Sequence, residues 1–249
     1  MGSQKLYRNV YCLMLLSLLW AAPAYAGNLL ANGSFEDPVV NPASQCGPFA
    51  DCFGYHNSTA GNDFIGAWLL LPNAPTPTGW AAVMVTGYNY QETNNATGAP
   101  LYFHPTNGLQ ALDLTGEGNQ GDWNGVKQTV DTTPGTLYDL TFYLGHQYSG
   151  APGYSNGPAG LDLYVDGNWA GLFTNNHDQL NDISWDYFSY DFTATGKKTT
   201  IAFQNANDFG NNYSGLDGVS LTSVPEPETL ALLGTGLLGL LAAMRRRKR

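Results

Sequence analysis

The sequence predicts an all-β sandwich, and three observations carry that prediction. No long stretch with a 3.6-residue apolar period lies between Gly27 and Thr222. Several runs there instead alternate apolar and polar residues with a period of two, the spacing of a half-buried strand. Glycine, asparagine and proline punctuate those runs, with 30 Gly and 14 Pro in 249 residues, which leaves room for short elements joined by turns.

In chain order, Leu101 to Phe103, Gln110 to Leu114 and Val126 to Val130 are the first short strands expected. Leu137 to Leu144 is the clearest: Tyr138, Leu140, Phe142 and Leu144 fall on one face, and Asp139, Thr141 and Tyr143 on the other. Leu161, Leu163 and Val165 alternate with Asp162, Tyr164 and Asp166. Asp166-Gly167-Asn168 reads as a tight hairpin turn into a strand over Trp169 to Phe173. Phe188, Tyr190 and Phe192 alternate with Tyr187, Ser189 and Asp191, and Thr195-Gly196 reads as a second hairpin turn before Lys197. Ile201 and Phe203, between Thr200, Ala202 and Gln204, and then Val219 to Leu221 complete the set. Asn41 to Gly66 and Pro72 to Thr97 show no pattern and are expected to be irregular rims.

Charge excludes two classes of partner. Between Gly27 and Val224 there are three lysines, no arginine and eighteen acids, a net charge of −15. Such a surface repels nucleic-acid phosphates and anionic lipid alike. The basic residues sit at the ends instead. Lys5 and Arg8 precede the apolar run Val10 to Ala22, and Ala24-Tyr25-Ala26 supplies a small-x-small cleavage site. Residues 1–26 therefore read as a secretory signal peptide, too short for a spanning anchor and closed by Pro23. With Cys12 removed, Cys46 and Cys52 are left, and a disulfide is the expectation in an oxidising compartment. Zinc is the alternative, although only His56 lies near the pair.

The last segment, 224–249, runs Val224-Pro225-Glu226-Pro227, then an apolar stretch from Leu230 to Met244, then Arg245-Arg246-Arg247-Lys248-Arg249. It resembles the PEP-CTERM sorting signal of Gram-negative, often biofilm-forming, bacteria. The resemblance implies that Pro225, Glu226 and Pro227 are recognised by an exosortase. The apolar stretch would then be a single transmembrane helix that holds the precursor in the inner membrane, with its basic end in the cytoplasm.

The body, residues 27–223, carries Asn28-Leu29-Leu30-Ala31-Asn32-Gly33-Ser34-Phe35-Glu36, Gly79-Trp80, Gly108 to Leu114, and Leu216-Asp217-Gly218-Val219-Ser220-Leu221. In these it resembles galactose-binding-like jelly-roll modules, a pattern shared with carbohydrate-binding modules and plant cell-wall proteins of unassigned role. The resemblance implies a jelly roll and a structural calcium whose carboxylate ligands are Glu36 and Asp217, with backbone carbonyls completing the shell. The alternative reading makes Glu36 a solvated strand-end acid and Asp217 a turn residue bonded to the backbone.

Sugar binding needs flat rings against C–H-rich sugar faces, with amides and carboxylates for the hydroxyls. Of the many rings, those on polar loops are the candidates: Trp123, Tyr88, Tyr90, Tyr148 and Tyr154. Catalytic patterns are weak. Gly153-Tyr154-Ser155-Asn156-Gly157 matches a nucleophile elbow in letters but lies in a Gly/Pro loop with no strand-to-helix context. Asp113 with Glu117, or Asp162 with Asp166, could be named as a glycosidase pair, but strand-edge solvation accounts for them equally well. His56, His104, His146 and His177 form no metal motif. The expectation is an exported, non-catalytic protein of the cell envelope or extracellular matrix that binds or associates with exopolysaccharide. A structural or adhesive surface protein is the alternative, and a glycan hydrolase the least favoured reading.

Overall fold

The computed structural model describes residues 27–37, 39, 53–56, 64–71, 83–87, 91–93, 98, 100–115, 124–148, 157–207, 213–224 and 236. By contacts the chain divides into Asn28–Thr222 and a second unit made of Met1–Gly27 with Ser223–Arg249. Almost all of the second unit lies outside the described residues, and with it the segments expected to be a signal peptide and a sorting signal. Among the described residues no helix is long and apolar enough to cross a membrane.

Asn28–Thr222 is a β-sandwich. Its strands are β1 (Phe53–His56), β2 (Phe64–Ile65), β3 (Trp68–Leu70), β4 (Val83–Gly87), β5 (Gln91–Thr93), β6 (Pro100–Tyr102) and β7 (Gln110–Asp113), followed by β8 (Gly125–Asp131), β9 (Leu137–Gln147), β10 (Ala159–Val165), β11 (Asn168–Asn175), β12 (Ile183–Thr193), β13 (Lys198–Asn205) and β14 (Ser214–Ser223). One sheet has the order β1-β4-β7-β14-β9-β12, the other β11-β10-β13-β8-β3-β2, and β5 with β6 forms a separate ribbon. From β7 onward the chain changes sheet at every connection except the β10–β11 hairpin. That wrapping is the jelly roll expected from the resemblance.

Alternation sets the two faces. Tyr138, Leu140, Phe142 and Leu144 of β9 are buried, as are Leu161 and Leu163 of β10 and Ile201 and Phe203 of β13. Phe142 lies at the centre, its ring 5.1 Å from both Phe173 and Phe203 and 5.7 Å from Phe188. Phe142 thus joins rings from β11, β12 and β13 across the two sheets.

The Asp166-Gly167 hairpin forms as expected. Both residues take positive φ, 52° and 77°, and Val165 pairs with Asn168 across the two-residue loop. Thr195-Gly196 does not make a hairpin. The strands it joins, β12 and β13, lie in different sheets, so the turn is a corner of the sandwich. It is held by the matching corner between β8 and β9, where Gly135 N–H donates to Ala194 O (2.8 Å), Ala194 N–H to Thr136 O (3.0 Å) and Thr132 N–H to Lys197 O (2.9 Å). The two segments expected to be irregular also contain strands: β1 and β2 fall within Asn41 to Gly66, and β4 and β5 within Pro72 to Thr97. All four are short, five residues at most, and so give too few positions for an alternation to be read.

The Asn28-to-Glu36 motif clasps the start of the chain to its last strand. Asn28 Oδ1 accepts from Leu30 N–H (3.0 Å) and Leu221 N–H (2.8 Å), while its Nδ2 donates to Val219 O (2.9 Å). Gln128 grips Ala31 through both amide atoms, and Trp68 Nε1 donates to Asn32 O (3.0 Å). Gly33 passes so close to β14 that a Cβ there would collide with the Val219 carbonyl, while Gly33 O accepts from Val219 N–H at 2.8 Å. Gly33→Ala is therefore expected to destabilise the sandwich by roughly 2 kcal/mol or more, the cost of forcing a methyl against a hydrogen-bonded strand. Urea unfolding checks it, since a midpoint equal to that of the parent would show that the clasp can shift without cost.

Candidate functional site

The side of the first sheet that faces away from the core is the best-formed polar and aromatic surface among the described residues. β9 and β12 pair in unbroken antiparallel register, from Leu137 opposite Thr193 to Gln147 opposite Ile183. Because the inward phase of β9 is apolar, its outward phase meets that of β12 in matched pairs: Asp139 with Asp191, Thr141 with Ser189, Tyr143 with Tyr187, and Gly145 with Trp185. The surface reads along the strands as carboxylates, hydroxyls, phenols and an indole. Tyr143 and Tyr187 meet edge to face at 5.3 Å, and Tyr187 is 58% exposed.

Glycines lie beneath the rings. A Cβ on Gly145 or on Gly215 would come within 2.8 Å of Trp185 ring carbons, and one on Gly218 within 3.0 Å of Tyr143. Those glycines let the indole and the phenol lie against the sheet, where a side chain would lift them. Trp185 Nε1 donates to His104 O (2.9 Å), which fixes the indole in its plane. Asp139 is pushed above the ordinary carboxylate range by burial and then by the like charge of Asp191 opposite.

A rim rises beside Trp185. Leu101, Phe103, Ile183 and Tyr213 form a small second core with Trp185 packed on it. Tyr102 and His104 stack with centroids 5.2 Å apart and planes 10° from parallel, and His104 Nδ1 lies 2.7 Å from Asp182 Oδ2. The rim is tied down just beyond His104. Asp217 Oδ2 accepts from Thr106 N–H (2.8 Å), Thr106 Oγ1 (3.1 Å) and Asn107 N–H (2.8 Å), and its Oδ1 from Gly218 N–H (2.6 Å). Glu36 Oε1 accepts from Leu109 N–H (2.7 Å) and Gln110 N–H (2.9 Å).

Glu36 and Asp217 are thus brought to one segment, residues 106–110, and the donors they receive are backbone N–H groups and one hydroxyl. Calcium takes six to eight oxygens, and among the described residues no group of three or more His, Cys, Asp or Glu side chains is placed to hold a metal. As placed, both carboxylates act as acceptors that fasten a loop. Burial pushes Asp217 up from 3.8 to about 7, against the lowering effect of its hydrogen bonds.

The other expected residues fall elsewhere. Trp123, Tyr88, Tyr90, Tyr154, Cys46, Cys52, Pro225, Glu226 and Pro227 lie outside the described residues. Tyr148, half-buried, sits one residue past β9 in a bridge to Leu180. Trp68 is core, and Trp169 stands on β11 in the other sheet. Asp113 is spent on Thr115, and Asp166 on Thr200 N–H. Sequence reasoning missed Tyr143 and Tyr187 as a pair. Both occupy the outward phase of alternating strands, where a tyrosine in place of a charge was the available signal.

Residues 71–215, more than half of the chain, match the family described as protein of unknown function DUF642. The chain belongs to the DUF642 family. Residues 223–248 of this DUF642 chain match the PEP-CTERM protein-sorting motif. No curated protein matches it. Among solved structures, the DUF642 chain is similar to a CBM4 structure (14% identity, 78% of this chain and 99% of that one, TM-score 0.41). It is also similar to the CBM22-1 xylan-binding domain from Paenibacillus barcinonensis Xyn10C (15% identity, 82% and 99%, TM-score 0.39). A third is a family 35 carbohydrate binding module from Clostridium thermocellum (14% identity, 58% and 100%, TM-score 0.34). At these scores the likenesses are loose and assign no ligand to the DUF642 chain.

The raised pKa of Asp217 gives a signed expectation. The folded value of about 7 exceeds the ordinary 3.8, so the stabilisation from the protonated form is complete below 3.8 and is lost as pH rises through about 7. Asp217→Asn keeps an acceptor for Thr106 and Asn107 without the ionisation. Melting curves from ~pH 4 to ~pH 8 should therefore fall for the parent and flatten for the variant. Parallel curves for the two proteins would refute the assignment.

Proposed function

We propose that this DUF642 chain is an exported, non-catalytic protein of the cell envelope or extracellular matrix that binds exopolysaccharide on the outer face of β9 and β12. The observation that carries the reading is the pair of half-buried Tyr143 and exposed Tyr187 set beside Trp185, with hydroxyl and carboxylate neighbours along the same two strands. Flat rings match the C–H faces of sugars, and the flanking Thr141, Ser189, Asp139 and Asp191 offer partners for hydroxyls. Net charge supports a neutral glycan over a uronic-acid or sulfated one, because the body carries −15 between Gly27 and Val224. The sorting motif supports export: the signal peptide would direct secretion, and the C-terminal helix would hold the precursor in the inner membrane until an exosortase processes it at Pro225-Glu226-Pro227.

Affinity electrophoresis and titration calorimetry against neutral and acidic polysaccharides test the reading. Binding to a neutral polymer is expected, and Tyr187→Ala should weaken it by about 1.4 kcal/mol, roughly tenfold in Kd, as expected for a lost ring stack. Absence of binding to every polymer would leave the structural or adhesive reading, and release of reducing ends would establish hydrolysis instead.

A further inference from the structure

The second sheet carries an exposed ring surface of its own on the side away from the core. β11 is an edge strand whose sole neighbour among the described residues is β10. On β11 Trp169 is 61% exposed and Leu172 54% exposed. A register shift between Leu163 and Tyr164 places Trp169 opposite Tyr164, while Leu172 faces Asp162. Bulges of this kind re-aim a side chain, and here the result is that Trp169, Leu172, Tyr164 and Asp162 share one outward surface. β13 continues it, with Ala202 beside Tyr164 and Gln204 beside Asp162.

Trp169 is oriented by its own strand neighbour. Its Nε1 donates to Asp162 Oδ1 at 2.7 Å, so the indole's one polar group is satisfied within the chain and the ring offers an apolar face. The rings and the Asp162 carboxylate repeat two of the chemical kinds of the first surface, and the Gln204 amide takes the place of its hydroxyls. A second copy of the chain is disfavoured as the occupant by charge, since edge-to-edge pairing would bring two strongly acidic bodies together. A polymer without charge meets no such barrier.

We propose that Trp169, Tyr164 and Leu172 form a second site for neutral glycan, so that one molecule bridges two polysaccharide chains through opposite faces of the sandwich. The proposal rests on glycan binding at the first surface. It adds cross-linking, a property that a single platform cannot provide. Bivalence of this kind converts weak ring stacks into a persistent junction between polymers.

The purified protein is titrated calorimetrically with xylo-, cello- and manno-hexaose, and the matching soluble polymers, xylan, hydroxyethylcellulose and glucomannan, are followed by light scattering. Two sugar sites per protein and a rise in polymer scattering are expected. Trp169→Ala should reduce the stoichiometry to one and abolish the scattering rise while retaining binding. Tyr187→Ala should instead weaken the other site about tenfold and lower the scattering rise, and the double variant should keep only that weakened binding. Thermal melting confirms that each variant is folded. A stoichiometry of one in the parent, or a Trp169→Ala protein that still bridges polymer, overturns the second site and leaves the first intact. Absence of binding to every probe overturns both. Light scattering of the protein alone should give a monomer, and a dimer lost in Trp169→Ala would show that the edge of β11 pairs two copies instead.

Discussion

Two carboxylates fastening one stretch of backbone hold the rest of the arrangement in place. Glu36 comes from the first segment of the body and Asp217 from its last strand, and both accept donors from residues 106–110. Among the described residues, five N–H groups and one hydroxyl meet two side chains there, with Gly218 N–H the one donor from outside that segment. A carboxylate with several N–H partners is a stronger acceptor than a carbonyl, and a loop so held cannot move without leaving those donors bare. Asp217 meets this demand at the expense of its own ionisation, since burial opposes its charge more than the four donors favour it.

The consequences run outward from that clamp. Thr106 and Asn107 are fixed, so the chain just before them, Tyr102 to His104, lies as a rim on the sheet. The His104 carbonyl takes the Trp185 indole N–H, and the His104 ring pairs with Asp182 and stacks on Tyr102. Trp185 can lie flat because Gly145 and Gly215 carry no side chain beneath it. A glycine under an aromatic ring has no role in stabilising a strand, where it costs backbone entropy and offers nothing to pack. Its presence at both positions makes sense when the ring plane, rather than strand stability, is what the residues provide.

How much of this was legible in the sequence depended on whether the signal was local. Alternation over Leu137 to Leu144 and Phe188 to Phe192 named the strands and their inward faces, because burial acts on each residue in turn. The Asp166-Gly167 turn was legible for the same reason: two positive-φ positions define it without reference to anything distant. Thr195-Gly196 was misread because turn chemistry cannot say whether the next strand stays in the sheet or crosses to the other. Here the bonds between Thr132, Gly135, Thr136 and residues 194–197 decide it, from about sixty residues away. The first platform was half legible. Tyr143 and Tyr187 stood on outward phases, but only the register of β9 against β12 makes them neighbours. Glu36 and Asp217 were singled out through the resemblance, but the bonds they make to residues 106–110, through backbone N–H groups and the Thr106 hydroxyl, carried no signal in the sequence.

Charge and rings together narrow what such a surface can hold. In a body of −15, an exposed ring faces three classes of partner: apolar surfaces, cations and neutral hydroxylated polymers. Trp185 is backed by Gly145 and Gly215 and Tyr143 by Gly218, so each ring presents one face to a partner. An apolar protein surface would be served by aliphatic neighbours, but around Tyr143 and Tyr187 the register places Thr141, Ser189, Asp139 and Asp191. One-sided rings in a row of hydroxyls and carboxylates suit a ligand that is itself apolar on one face and hydroxylated at its edges. A pyranose ring has that form, and a polymer of pyranoses repeats it, so the contact can slide along the chain and be made many times.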